Sequence, residues 1–95
     1  MKMNTFFPET EEHEDIAVLD EVEAQMALIL YNDDYNTFDF VIDSLIKVCN
    51  HQPIQAEQWT YLVHYAGKCA VKNGTFKKLK PLCEALLDRG LTATI

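Results

Sequence analysis

Five polar side chains in the sequence have the chemistry to bind a protonated amine. Four of them fall within five positions and are short acceptors, Asn32, Asp33, Asp34 and Asn36. The fifth, His64, lies further along the chain in an apolar stretch. An amide, carboxylates and a neutral imidazole together supply several acceptor atoms, which suits a protonated amine. The structural alternative is turn formation and helix capping by the first four residues, and a packing role for His64 with its ring bonded to a carbonyl.

The first four residues lie between a predicted strand and a predicted helix. Residues 24–31, AQMALILY, form a short apolar run that ends at an Asn-Asp-Asp cluster, which predicts a strand. Asn36 is a suitable N-cap, and Asp39 falls at the third helical position, where an acid favours a helix N-terminus. Apolar residues then recur at three-four spacing, which predicts a helix to about residue 50.

His64 lies near the end of a second predicted helix. Pro53 suits the first turn of a helix that covers residues 54–66, and Gly67 ends that helix. Residues 68–72 then predict a short strand, which an Asn-Gly turn closes.

A third helix and a last strand complete the predicted order. Thr75 can cap a helix over residues 76–89, and Pro81 inside that pattern should kink the helix or mark its true start. Residues 91–95 alternate in polarity and predict a final strand. The order β-α-α-β-α-β predicts an α+β fold, a compact sandwich in which three helices cover one face of a small three-stranded sheet.

The net charge of −7 is concentrated at one end of the chain. Residues 1–23 hold eight acids and only Lys2 as a base, whereas residues 24–95 hold seven acids and seven bases. We therefore expect an acidic, flexible N-terminal extension over 1–23, either a solvated tail or a segment that another protein engages, and one core domain over 24–95. The acidic total disfavours nucleic-acid binding. Five lysines nevertheless form a local basic patch: Lys68, Lys72, Lys77, Lys78 and Lys80.

The cysteines and the apolar runs indicate the compartment. Cys49, Cys69 and Cys83 lie in apolar neighbourhoods without a CxxC motif, which predicts buried thiols in a reducing cytosol rather than disulfides. We expect no membrane span, because no run of about 18 apolar residues occurs. The N-terminus has no secretory signal pattern. A cytoplasmic location is therefore expected.

Three apolar residues should lie close to the polar group. Phe38 and Val41 on the first helix and Val63 on the second would wall an apolar pocket beside the acceptors. Recognition of an ammonium group beside an apolar pocket is what a site for the free N-terminus of a protein requires.

Three segments resemble the ClpS family, the bacterial N-degron adaptors of the Clp AAA+ protease. They are LILYNDDYNTFDFVI, then VHYAGKCAV, then the terminal LTATI, and the resemblance covers about residues 25–95. It implies an adaptor and not an enzyme, with no cofactor and no metal. Such an adaptor binds proteins that begin with Leu, Phe, Tyr or Trp. It delivers them to the N-domain of a Clp unfoldase of the ClpA or ClpC type.

The resemblance also implies roles for the polar residues. Asn32, Asp33 and His64 would hold the α-amino group and the first peptide unit of the substrate. Asp34 would line the same opening. Asn36 would cap the first helix and touch the peptide, because it replaces the Thr of the usual NDDYTP form.

The apolar residues receive roles in the same way. Phe38 stands at the gatekeeper position, commonly Met, and should exclude β-branched side chains. Val41, Val63 and Leu91 match the wall of the hydrophobic pocket. Thr60 replaces the usual Met one turn before the histidine, which shortens a lining side chain and changes the depth or the polarity of the pocket.

Two more departures concern the rest of the chain. Asn36-Thr37 replaces Thr-Pro, and the stretch after Gly67 is shorter than in the proteobacterial form. The residues that would dock on the unfoldase are therefore only candidates: Lys77, Lys78 and Lys80.

Two other functions remain open from the residues alone. Asp33 or Asp34 with His64 could form an acid-base pair or ligate a metal, but no nucleophile, phosphate loop or zinc-type Cys/His spacing accompanies them. The chain could also be a small interaction module, comparable to a ribosomal stalk domain, that binds an internal peptide segment without recognising a free N-terminus.

Overall fold

The computed structural model describes residues 24–95, so the predicted extension over 1–23 lies outside the described residues. Six elements follow one another along the chain in the predicted order. They are β1 (Met26–Tyr31), α1 (Phe38–Cys49), α2 (Pro53–Ala66), β2 (Lys68–Gly74), α3 (Phe76–Asp88) and β3 (Thr92–Thr94). The three strands form one antiparallel sheet, which confirms the predicted α+β fold.

The sheet has β1 as its central strand, with β2 on one side and β3 on the other. Leu30 of β1 stands opposite Cys69 of β2 and Ala93 of β3. The register between β1 and β2 shifts after Leu28, so that Val71 has no directly opposed residue and forms a β-bulge. The Val71 carbonyl accepts a hydrogen bond from Nε2 of His51 at 2.6 Å, which supplies a partner at the bulge.

Alternation along the central strand determines which side chains reach the core. Leu28 and Leu30 are both buried, as expected for residues two apart on one face of a strand. Leu45 of α1 is also fully buried in this core cluster. So are Leu79 and Leu86 of α3. Each such leucine contributes about 1.5–3 kcal/mol through burial. The central strand and the loop that follows it are therefore firmly anchored.

The cap of α1 differs from the prediction. Thr37 is the N-cap, and its hydroxyl accepts a hydrogen bond from the Phe40 N–H at 3.1 Å. The prediction that Asn36 caps this helix is wrong, because the Asn36 side chain is engaged with the loop before the helix. Asp39 consequently stands at the second helical position rather than the third. It still lies in the first turn, where a negative charge is favourable.

Two further expectations from the sequence concern the end of β2 and the position of Pro81 in helix α3. The predicted Asn-Gly turn after residue 72 is wrong, because Asn73 and Gly74 continue β2 by pairing with the start of β1. Helix α3 begins at Phe76, where the Thr75 hydroxyl accepts from the Lys78 N–H at 3.3 Å, as predicted. Pro81 therefore lies inside the helix and does not mark its start.

Arg89, at the C-terminal end of α3, bonds to residues of α1. The Arg89 guanidinium donates to the Ser44 hydroxyl at 2.8 Å and to the Asp43 carboxylate at 2.9 Å. It also lies 5.0 Å from the centre of the Phe40 ring, within the range of a cation–π contact. The chain that follows α3 is thereby held over the N-terminal half of α1. The Leu91 N–H donates back to the helix, so β3 is shorter than the predicted 91–95.

The cysteines are all free, and Cys49 and Cys83 are buried, whereas Cys69 is only partly buried. The expectation of buried thiols therefore holds for two of the three. Within residues 24–95, no helix has the length and apolar character needed to cross a membrane.

Candidate functional site

A cavity of about 250 Å³ opens at the end of β1, where the loop before α1 meets α2 and the chain after α3. All ten residues singled out in the sequence line it: Asn32, Asp33, Asp34, Asn36, Phe38, Val41, Thr60, Val63, His64 and Leu91. Leu30 and Tyr31 line it as well, and the sequence analysis missed them. Both residues immediately precede the polar cluster in the sequence, and this position is the signal that could have indicated them.

The loop that carries the polar residues is organised around Asp33. One carboxylate oxygen accepts hydrogen bonds from the backbone N–H groups of Tyr35 and Asn36, each at 2.8 Å. The other accepts from the Asn36 side-chain amide at 2.9 Å. Asp33 therefore has the turn-forming role of the structural alternative. An ionised carboxylate has about four lone-pair sites, so one remains available to a ligand.

The ionisation of Asp33 follows from these contacts. Partial burial raises the pKa of the carboxyl group, but the hydrogen bonds from Asn36 and Tyr35 together outweigh it. The net pKa of Asp33 lies below its ordinary value of 3.8. The negative charge at the cavity is therefore retained at neutral and mildly acidic pH.

Asn36 links the loop to the far end of the chain. Its amide nitrogen donates to Asp33 and also to the Gly90 carbonyl at 3.1 Å. Gly90 has a φ of 92°, a left-handed conformation that glycine adopts without strain. Leu91 follows directly and contributes to the cavity wall. Asn36 thus joins the polar and apolar sides of the site. No local signal in the sequence indicates that the carbonyl of Gly90 is its partner.

Three of the predicted polar residues keep their side chains free of hydrogen bonds within residues 24–95. They are Asn32, Asp34 and His64, and all three are solvent-exposed. The Asn32 backbone N–H donates to the Gly67 carbonyl at 2.9 Å, which fixes the start of the loop against the end of α2. The mouth of the cavity therefore presents unpaired acceptors on a fixed backbone.

His64 is positioned by aromatic contacts. Its ring centre lies 5.0 Å from that of Phe38 and 4.9 Å from that of Tyr65, both in edge-on geometry. Phe38 in turn packs edge-on against Tyr61 at 5.2 Å. These distances are typical of favourable aromatic pairs. The packing role expected for His64 is therefore present, although no described carbonyl bonds its ring.

The deep side of the cavity comes from α2 and from the segment after α3. Thr60, Val63 and His64 fall at i, i+3 and i+4 on α2, so they share one face of the helix. Val63 and Leu91 are each 4% exposed, and Leu30 is 1% exposed. Trp59, next to Thr60, does not line the cavity. Its ring lies 6.4 Å from that of His51.

The predicted basic patch is partly engaged in the fold. The Lys72 ammonium donates to the Cys49 carbonyl at 3.1 Å. Lys80 lies 3.9 Å from Glu84, one helical turn away on α3. Lys78 is exposed on the same helix. A docking role for the lysines of α3 remains a prediction.

Comparison with known proteins identifies the family. Residues 21–94 match the sequence model of the family described as ATP-dependent Clp protease adaptor protein ClpS. The chain belongs to the ClpS family. The resemblance expected from the sequence is thus confirmed over most of the chain. ClpS proteins are adaptors of the protease rather than enzymes, which agrees with the predicted non-catalytic role.

Two curated relatives carry the same description. The ATP-dependent Clp protease adapter protein ClpS of Clostridium acetobutylicum is 50% identical over 40 residues, which is 42% of this chain and 40% of that protein. The ClpS of Salmonella gallinarum is 46% identical over 41 residues, which is 43% of this chain and 39% of that protein. The matched segment thus spans about two fifths of the length of these relatives.

Proposed function

We propose that the chain binds proteins by their free N-terminus when the first residue is Leu, Phe, Tyr or Trp, and that it delivers them to a Clp AAA+ unfoldase. One observation carries the proposal. Three exposed side chains that accept no hydrogen bond from residues 24–95, those of Asn32, Asp34 and His64, stand at the mouth of a cavity whose depth is almost wholly apolar. A protonated α-amino group next to a bulky side chain is complementary to both parts.

The acceptors are suited to an ammonium group. The Asp33 carboxylate is ionised and held by three N–H groups, and it keeps one free lone-pair site. Asn32 and His64 add neutral acceptors, and Asp34 adds a second negative charge. Of residues 24–95, no lysine or arginine belongs to the cavity lining, so none of them competes there for these acceptors. Hydrogen bonds that involve a charged partner are roughly twice as strong as neutral ones.

The size of the cavity suits one side chain and not a cofactor. Its volume of about 250 Å³ lies below the roughly 300–1,000 Å³ that is typical of small-molecule sites. Phe38 stands at its edge with its ring fixed against Tyr61 and His64. A β-branched first residue carries its extra methyl group next to the peptide backbone, and we expect the Phe38 ring to clash with it there. Phe38 therefore acts as the gatekeeper in this proposal.

The energies allow reversible binding. Burial of a Leu or Phe side chain contributes roughly 1.5–3 kcal/mol. Two or three hydrogen bonds to a charged amine contribute about 1.5–3 kcal/mol each, and the ordering of the peptide offsets part of that. A total near −6 to −8 kcal/mol corresponds to a Kd on the order of micromolar. Both the amine and the side chain are needed to reach this value, and an adaptor must also release its substrate.

A direct test compares fluorescent peptides that begin with Phe, N-acetyl-Phe and Val and are otherwise identical. The proposal expects clear binding of the Phe peptide and a large loss for the other two. Equal binding of all three would reject it. Equal binding of the Phe and N-acetyl-Phe peptides, with Val weaker, would instead favour a module for internal segments. Stoichiometric zinc or iron in the purified protein would revive the enzyme alternative.

Delivery to the unfoldase is a separate part of the proposal. The partner would be the N-domain of a ClpA- or ClpC-type unfoldase in the cytoplasm, with the exposed face of α3 as the first candidate for docking. Lys78→Glu reverses an exposed charge on α3. This variant should keep peptide affinity but lose unfoldase-dependent degradation of a Phe-initiated reporter. If degradation is unchanged, α3 is not the docking surface.

A further inference from the structure

The apolar side of the cavity includes the side chain of Thr60, which carries a hydroxyl group. Five of its residues carry only hydrocarbon side chains: Leu30, Phe38, Val41, Val63 and Leu91. Thr60 lies among them and is 3% exposed. Its hydroxyl group is therefore a polar group among hydrocarbon side chains. Tyr31, which also lines the cavity, has its hydroxyl 3.2 Å from the Thr94 hydroxyl.

The hydrogen of that hydroxyl is already committed. Thr60 donates to the Ala56 carbonyl, one turn earlier on α2, at 2.8 Å. A threonine oxygen has two acceptor lone pairs in addition to its one donor. No donor among residues 24–95 bonds the Thr60 oxygen. To a ligand, Thr60 is thus an acceptor and not a donor.

The position of Thr60 along α2 matches the far end of a substrate side chain. Thr60 precedes His64 by four residues on the same helix face, which is about one helical turn, or roughly 5.4 Å along the axis. A substrate whose amine lies at the His64 end could direct its first side chain along the helix towards Thr60. A long side chain with a donor at its tip reaches this depth, whereas a leucine ends before it.

We propose that Thr60 is a specificity-determining residue that makes the cavity prefer an N-terminal Tyr over an N-terminal Phe. This inference rests on the function proposed above. The phenol O–H donates to the Thr60 oxygen, and no bond of the Thr60 hydroxyl has to break. A purely apolar side chain at this position would leave the buried phenol without a partner, which costs free energy.

The expected preference is modest and measurable. One neutral hydrogen bond between a protein and a buried partner changes an equilibrium constant by about threefold to tenfold. The Kd for a Tyr-initiated peptide should therefore be lower than that for the matched Phe peptide by this factor. A purely hydrophobic pocket would not distinguish the pair in favour of the hydroxyl.

The test uses three peptides and three forms of the full chain. The peptides begin with Tyr, Phe or 4-fluorophenylalanine, the last of which extends the ring without adding a donor. The proteins are wild type, Thr60→Val and Thr60→Ser. The Val variant keeps the shape of the side chain and removes the hydroxyl, and the Ser variant keeps the hydroxyl. Both should fold, because the Ala56 carbonyl retains its helical bond when the side-chain bond is lost. Thermal unfolding verifies this.

The inference expects wild type to bind Tyr more tightly than Phe, and 4-fluorophenylalanine no better than Phe. Thr60→Val should lose the Tyr-over-Phe preference, whereas Thr60→Ser should retain it. The same Tyr-to-Phe ratio in wild type and in Thr60→Val would overturn the inference alone, provided that N-acetylation still abolishes binding. If N-acetylation has no effect in any form of the protein, the proposed function fails and this inference fails with it.

Discussion

Replacing Asp33 with Asn tests the contribution of charge at the cavity mouth. Three N–H groups use three of the roughly four lone-pair sites of the carboxylate, so one site is left for a substrate amine. A hydrogen bond to a charged partner contributes about 1.5–3 kcal/mol, and salt and water at an open mouth favour the lower end. Since about 1.4 kcal/mol is a factor of ten, Asp33→Asn should weaken binding of a Phe-initiated peptide by about tenfold to a hundredfold.

The substitution also disturbs the loop, because an amide nitrogen would then face the Asn36 amide, which is itself a donor. Asn36→Ala separates the two effects. It removes the side-chain bonds to Asp33 and Gly90 but leaves the carboxylate in place. Glu57→Gln is the control for net charge, because Glu57 is exposed on α2 and outside the cavity lining.

Fluorescence anisotropy with the Phe peptide and its N-acetyl counterpart measures all four forms at two ionic strengths. Asp33→Asn should lose the most, Asn36→Ala less, and Glu57→Gln almost nothing. The loss for Asp33→Asn should shrink at high salt, because the missing interaction is electrostatic. The reasoning is refuted if Asn36→Ala loses as much as Asp33→Asn, since the loop shape and not the charge would then hold the amine. Wild-type affinity in Asp33→Asn would refute it as well.

Three more predictions follow from the geometry. The ratio of the Phe-peptide Kd of Asp33→Asn to that of wild type should be the same at pH 8 and pH 5, because the lowered pKa keeps the wild-type Asp33 carboxylate ionised over this range. A ratio that falls towards one at pH 5 would contradict this. Phe38→Ala removes the ring that lies 5.0 Å from that of His64. Calorimetry should then show that the affinity for a Val-initiated peptide, relative to that for a Leu-initiated peptide, rises by roughly tenfold. An unchanged ratio of the two affinities would exclude a gatekeeper role. Burial raises the pKa of all three thiols, so iodoacetamide should react with them slowly at neutral pH. The partly exposed Cys69 should be modified before Cys49, which is 1% exposed. Mass spectrometry that found Cys49 modified first would contradict the fold.

The order of the elements could be predicted because its signals are local. The lengths of the apolar runs separate strands from helices, and Pro53 and Gly67 mark the ends of α2 in the way that their backbone preferences require. Most of the cavity residues could also be predicted, because four polar ones directly follow β1, and Phe38, Val41 and Val63 lie on the helix faces beside them, whereas Leu30 and Tyr31 were missed. Resemblance to a known family then supplied Thr60 and Leu91, which no local pattern singles out.

The parts that were predicted wrongly depend on contacts that are distant in the sequence. Asn36 and Thr37 are both good N-caps, but the Asn36 side chain bonds Asp33 and also the Gly90 carbonyl, 54 positions away, and Thr37 is the cap. Likewise, the turn preference of Asn73 and Gly74 is overridden because the start of β1 offers them a partner. Local propensity determines what a residue can do, and the tertiary partner determines which of the possibilities is realised.

The two outer strands of the sheet have a consequence for a protein that works among unfolding chains. An exposed strand edge can capture any extended polypeptide by backbone hydrogen bonding, whatever its sequence. Within residues 24–95, the two edges are β3, with only three residues, and β2, which is interrupted by the bulge at Val71 and begins with the exposed Lys68. Short, bulged and lysine-bearing edges resist strand addition. Under the proposed function, the sheet that positions the cavity would therefore not compete with it for client polypeptides, and attachment would depend on the amine and the first side chain.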